Sequence, residues 1–168
     1  MKFVIGCALI VSAVSANAFD FKGISLGETV DHGYLAQAHG LSCASRKDGG
    51  LSCSSSTTIA GESAELSLRS DSNNKVVSMN LIIESKSFEL VAIALQQKFG
   101  SPKITKSTVQ NGFGAVFEQQ QLRWSKKDGQ ELTIRKYSSD LKTSIVSFTT
   151  REERVRMIEP TLKKLNDL

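Results

Sequence analysis

The chain has 168 residues, a net charge of +4 and a charged fraction of 23%, with two histidines, three cysteines and one tryptophan. Lys and Arg never run more than two together and do not interleave with aromatics, which excludes a nucleic-acid surface. The length suits one domain around one core.

Met1 and Lys2 give a positive start, residues 3–14 an apolar run, and Ala16-Asn17-Ala18 a small-x-small signature before Phe19-Asp20. This pattern predicts a cleaved signal over residues 1–18 and a periplasmic or secreted protein. A membrane anchor needs roughly 20 apolar residues. The run here is shorter and diluted by Ser12, Ser15 and Asn17, so no stable anchor is expected after cleavage. Cys7 leaves with the leader, since too few residues precede Gly6-Cys7 for a lipidation signal.

Residues 19–168 are then read as one α+β domain. A short extended segment over residues 19–26 leads into a helix. Thr29 is expected to cap it, Val30, Tyr34 and Ala38 to share one face, and Gly40-Leu41 to stop it. Cys43 and Cys53 are the even pair left in an oxidising compartment, predicting a disulfide. It closes a loop of about ten residues and contributes on the order of 2 to 3 kcal/mol. The spacing is unlike the C-x-x-C of a redox pair. Residues 41–44 and 50–59 read as strands joined through Gly49-Gly50, the Ser54-Ser55-Ser56-Thr57-Thr58 run forming a solvated face. Residues 65–69 and 75–83 read as a hairpin, with Val77, Met79, Leu81 and Ile83 alternating on one side.

The strongest helix signal follows. Ser87 is expected to cap it, Phe88, Val91, Ala92, Leu95 and Phe99 to face the core, and Gly100-Ser101-Pro102 to end it. Residues 104–109, 115–125, 131–137 and 144–149 then read as strands separated by Asn111-Gly112, Asp128-Gly129 and Ser138-Ser139-Asp140. From Thr150, a capping box with Glu153 and a stripe of Val155, Ile158, Leu162 and Leu165 predict a third helix over residues 150–168, kinked or broken at Pro160. That helix is expected to cover the sheet. The alternative is an arm that docks a partner, with Arg151, Arg154, Arg156, Lys163 and Lys164 outward.

Glu65-Leu66-Ser67-Leu68-Arg69 matches Glu131-Leu132-Thr133-Ile134-Arg135, and each follows a helix that ends in glycine. This suggests two tandem helix-then-strands repeats, residues 19–85 and 86–150, sharing one antiparallel sheet or packing face to face.

Phe21-Lys22-Gly23-Ile24-Ser25-Leu26-Gly27-Glu28-Thr29, entering a helix, and Leu95-Gln96-Gln97-Lys98-Phe99-Gly100-Ser101-Pro102, ending one, carry a resemblance. Together they resemble the helix-then-sheet module shared by the β-lactamase inhibitor protein and the small lipoprotein of the outer-membrane β-barrel assembly machinery. The resemblance implies non-enzymatic binding of another protein and transfers no specific residues.

Catalytic patterns are sparse. Gly23-Ile24-Ser25-Leu26-Gly27 matches G-x-S-x-G, but the strand, helix and downstream acid and histidine of a nucleophile elbow do not surround it. His32 and His39 lie about 10 Å apart on a helix at about 1.5 Å per residue, too far to share a metal. No catalytic residue, cofactor or metal is assigned. The reading is an inhibitor, immunity factor or envelope accessory that grips another envelope or extracellular protein. Tyr34, Arg123, Trp124 and Tyr137 are the candidate anchors, because aromatics and Arg dominate interface energies. A carrier of a small or lipid-like ligand, and a small cell-wall or peptide hydrolase using Ser25, are the alternatives.

Overall fold

The computed structural model describes residues 18–166, with residues 160–166 described by backbone alone. Except for Ala18, the leader read at residues 1–18 lies outside the described residues. Strands β1 (Asp20–Phe21) and β2 (Ile24–Ser25) form a small hairpin. Its turn, Lys22-Gly23, has positive φ at both positions, 49° and 85°, as a tight two-residue hairpin requires.

Helix α1 (His32–His39) starts later than the sequence suggests. The N–H groups of Gly27 and Val30 are bonded to the carbonyls of Val76 and Asn74, and Val76 N–H returns to the Glu28 carbonyl. This extended pairing keeps Thr29 out of the helix, in a bridge with Lys75. Asp31 caps instead, its carboxylate accepting from Tyr34 N–H at 2.8 Å. The face also differs: Val30 is buried ahead of the helix, Tyr34 and Ala38 are exposed, and Leu35 alone is buried within it. The helix stops at Gly40 as expected, and Leu41 N–H turns back to the Leu35 carbonyl.

Eight strands follow in one antiparallel sheet. The first four are β3 (Ser42–Ser45), β4 (Leu51–Ile59), β5 (Glu62–Ser70) and β6 (Val76–Glu84). After α2 (Phe88–Phe99) come β7 (Lys103–Gln110), β8 (Val116–Ser125), β9 (Glu131–Arg135) and β10 (Thr143–Thr149). Their spatial order is β3-β4-β5-β6-β10-β9-β8-β7. Each half is thus a helix followed by four strands, and the halves meet where the last strand of one, β6, pairs with the last of the other, β10. The matching five-residue segments lie in β5 and β9, the third strand of each half. With α3 (Arg151–Asn166) the described residues form a mixed α+β fold with three helices.

Period-2 alternation sends Leu66, Leu68, Met79, Leu81, Val146, Phe148, Leu132, Ile134, Leu122 and Trp124 to one face. There they share one core with Phe88, Val91, Ala92 and Leu95 of α2, and with Phe19, Phe21, Ile24 and Leu26. Burying each Leu or Phe side chain is worth about 1.5–3 kcal/mol, so this face accounts for the order of the sheet. Cys43 and Cys53 are register partners on β3 and β4 and form the expected disulfide. Gly50 permits the tight entry to β4, since a Cβ there would lie 2.2 Å from the Ser70 carbonyl oxygen.

Two more expectations need correction. Ser87 does not cap α2: its hydroxyl donates to the Glu62 carboxylate, and a 3-10 turn over Ser85–Ser87 feeds the helix instead. At the third helix only half of the capping box forms. Thr150 Oγ1 accepts from Glu153 N–H at 3.3 Å, but Thr150 N–H donates to the Val77 carbonyl and the Glu153 carboxylate turns to arginines. Helix α3 passes through Pro160 without a break. Its stripe does not cover the sheet as far as side chains are described, because Val155 and Ile158 are each 53% exposed. Leu162 and Leu165 lie outside the described side chains.

Candidate functional site

The most exposed large apolar residue among the described residues, Phe113, lies on the β7–β8 hairpin, which also carries the exposed Ile104 and Val116. β9 pairs with β8 only from Gln121 to Ser125, so the rest of β8 and its partner β7 run on past β9. Residues 103–108 of β7 are all exposed, Ile104 among them, and Val116 opens β8 at 63% exposure. The tip is Asn111-Gly112-Phe113-Gly114. There Phe113 is 99% exposed.

That tip is ordered by its own chemistry. The Asn111 side-chain oxygen accepts from Phe113 N–H at 3.0 Å and Ala115 N–H at 2.9 Å, an Asx-type turn. Gly114 N–H donates to the Asn111 carbonyl, and Gln110 Nε2 donates to the Gly114 carbonyl at 2.9 Å. The aromatic ring is therefore held out from a pre-formed turn, which lowers the entropy lost when it meets a partner.

Tyr137 belongs to the same region. Its ring meets Phe117 of β8 edge to face, centroids 6.3 Å apart. A cleft of about 670 Å³ separates the hairpin from the segment after β9, with Asn111, Gln119, Tyr137 and Asp140 on its walls. The Thr143 hydroxyl and the Lys142 and Thr143 N–H groups hold the Asp140 carboxyl below the usual carboxylate range, keeping it ionised at the rim.

The other candidate anchors lie elsewhere. Trp124 is only 5% exposed, on the core side of β8, and its indole N–H donates to the Gly100 carbonyl at 2.7 Å. Arg123 is exposed on the opposite face, 3.7 Å from Glu131. Tyr34 lies on α1, which packs at the β3 edge, and its ring stands against His39 at 5.1 Å. The structure gathers Tyr137 near the hairpin tip, places Arg123 at the opposite end of the same hairpin, across from Lys103, and leaves Tyr34 apart from it.

No protein-family model, curated protein or solved structure matches the chain. Gly23 of the G-x-S-x-G match sits in the β1–β2 hairpin turn, and Ser25 N–H donates to the Glu28 carboxylate at 2.9 Å. No strand-to-helix elbow presents the Ser25 hydroxyl. Among the described residues no group of three His, Cys, Asp or Glu could hold a metal ion, and no helix is long and apolar enough to cross a membrane.

The face of the sheet away from the core is mostly polar, with Ile82 and its register partner Ile145 as apolar exceptions. One cross-strand row runs Ser42, Ser54, Ser67, Asn80, Ser147, Thr133, Arg123 and Lys103 through all eight strands. Such a solvated face is ordinary for an antiparallel sheet.

The sequence reading passed over Phe113. Its signal was present: a lone aromatic between two glycines, in a turn where no alternation calls for an apolar residue.

Proposed function

We propose that this is an exported, non-enzymatic domain that binds another protein through the β7–β8 hairpin, with Phe113 as its principal anchor. The observation that carries the reading is the near-complete exposure of Phe113 on a turn already closed by Asn111. An exposed Phe gains from burial in a partner pocket and little in water, and aromatics are the usual anchors of interfaces. Val116, next to the tip on the same face of the hairpin as Ile104, widens the contact, and the paired Lys106 and Glu118 of that face form a charged rim. The leader pattern and the Cys43–Cys53 disulfide support an oxidising, extracytoplasmic compartment.

The two halves, in this reading, descend from a duplicated unit. The shared order of one helix then four strands, the edge-to-edge junction of β6 with β10 and the equivalent placement of the Glu65 and Glu131 segments support it, the β1–β2 hairpin being an addition of the first half alone. A solitary half would leave the β6 or β10 edge open and its core face thin.

The test is capture from envelope extract with the full chain, expressed with its leader and purified from the host periplasm without reductant. A stoichiometric protein partner, lost when Phe113 is replaced by alanine in a variant with unchanged circular dichroism, supports the reading. The expected loss is about thirtyfold or more in affinity, the range of an aromatic hot spot. Capture unaffected by F113A, or a bound small molecule in the native mass with no protein, contradicts it.

A further inference from the structure

At the far end of β7 from Phe113, about 23 Å along the strand at about 3.3 Å per residue, lies a second recess. It is a cleft of about 670 Å³ between the start of β1, the end of α2 and the β7–β8 pair. Lys98, Lys103, Arg123 and Lys126 line it against a single carboxylate, Asp20. Asp20 is taken by Lys98 at 2.8 Å. Arg123 stands 3.7 Å from Glu131, whose nearer partner is Arg154 at 3.0 Å. Among the described residues, no carboxylate lies within ion-pair distance of Lys103 or Lys126.

Lys126 is held over the Phe19 ring at 4.4 Å; partial burial pushes its ammonium pKa down, against the opposing pull of the Asp128 and Asp20 carboxylates, neither of which forms an ion pair with it. The recess thus sets four cations against one lining carboxylate beside an aromatic wall, an excess of positive charge that attracts a negative group. The cations are spread along the cleft on separate elements. Compact dianions such as phosphate call for converging guanidinium forks or backbone N–H nests, whereas carboxylates on successive side chains match a spread of single charges.

We infer that this cleft receives an acidic, carboxylate-bearing segment of the protein partner, an inference that rests on the protein-binding reading above. The partner thereby spans the β7 edge, meeting Phe113 at one end and Lys103 and Lys126 at the other. It presents an apolar pocket for the first and glutamate or aspartate side chains to the second.

The experiment titrates the full chain, purified as above, with hexaglutamate, hexaglutamine and inorganic phosphate at low salt. The fluorescence of Trp124, the only tryptophan and part of the cleft lining, is the readout. Hexaglutamate is expected to give a saturable change that weakens about tenfold in the K103Q/K126Q double variant and falls with added salt. Hexaglutamine and phosphate are expected to give none, and F113A is expected to bind hexaglutamate as the parent does. Absent hexaglutamate binding, equal binding to the double variant, or phosphate binding as well as hexaglutamate overturns the acidic-segment assignment. If F113A abolishes partner capture while hexaglutamate fails to bind, only the cleft assignment falls. Hexaglutamate binding by a chain that captures no protein at all removes the protein-binding reading and, with it, the partner assigned here.

Discussion

Gln119 and Tyr137 bind each other twice across the gap that opens where β9 ends. Gln119 Nε2 donates to the Tyr137 carbonyl at 2.7 Å, and Gln119 Oε1 accepts from Tyr137 N–H at 3.0 Å. The side chain of a nearly buried glutamine thus replaces the strand that is missing there. It ties the base of the hairpin to the segment carrying Tyr137, so that the exposed tip rests on a fixed support.

Replacing Gln119 with alanine leaves both backbone groups of Tyr137 without their partner. A loss of about 1–3 kcal/mol is expected. Urea unfolding measures the loss. Hydrogen exchange is expected to rise at Tyr137 N–H and at the neighbouring Lys136 N–H, which donates to the Gln120 carbonyl.

The root of α3 titrates. A hydrogen-bonded ion pair from Arg156, with Arg69 beside it at 3.0 Å, holds the Glu153 carboxyl below the usual carboxylate range despite its burial. Because the folded pKa is depressed, the stabilisation is fully present above the unfolded value, about 4.3. It is lost as pH falls through the folded value. Denaturant unfolding from pH 7 to pH 3, in steps of about one unit, is expected to show a decline in the parent that is smaller in E153Q. E153Q is itself expected to be less stable at neutral pH by about 1–3 kcal/mol, since Arg69 and Arg156 lose their counter-charge.

The Cys43–Cys53 disulfide joins the edge strand β3 to β4, and Cys53 is buried in the core. Reduction, or replacement of both cysteines by serine, is expected to cost about 2–3 kcal/mol from the loop constraint, with a further cost for the buried hydroxyl. Thermal melts with and without reductant check this. Loss of β3 alone, seen as selective exchange of its amides, is the expected first step, because β3 is short and has a neighbour on one side only.

Much of the fold was legible because local chemistry and tertiary packing agree. The Phe88 to Phe99 stripe, the alternation through Met79 and Leu81, and the cysteine pair each have one reading, and each is found. The errors came where long-range contacts took a residue away from its local role. Thr29 is drawn into pairing with Lys75, and Ser87 donates to Glu62 across the sheet end, so neither caps a helix. The exposed Val155 and Ile158 show that a periodic stripe states what a helix could bury, not what its first turn's ion pairs allow it to reach. The candidate site was less legible. Trp124 carries the same aromatic signal as Phe113, and only strand parity, set by pairing with Leu132 of β9, sends it into the core.

The measurement that tests the central claim most directly places a photo-crosslinking phenylalanine analogue at position 113 and, in a second protein, at Ser67 on the polar sheet face. Both are irradiated in envelope extract. The hairpin reading gives one dominant protein adduct from position 113, competed away by excess parent chain, and none from position 67. An adduct from position 67 with none from position 113 would contradict it, placing the partner on the open face of the sheet instead.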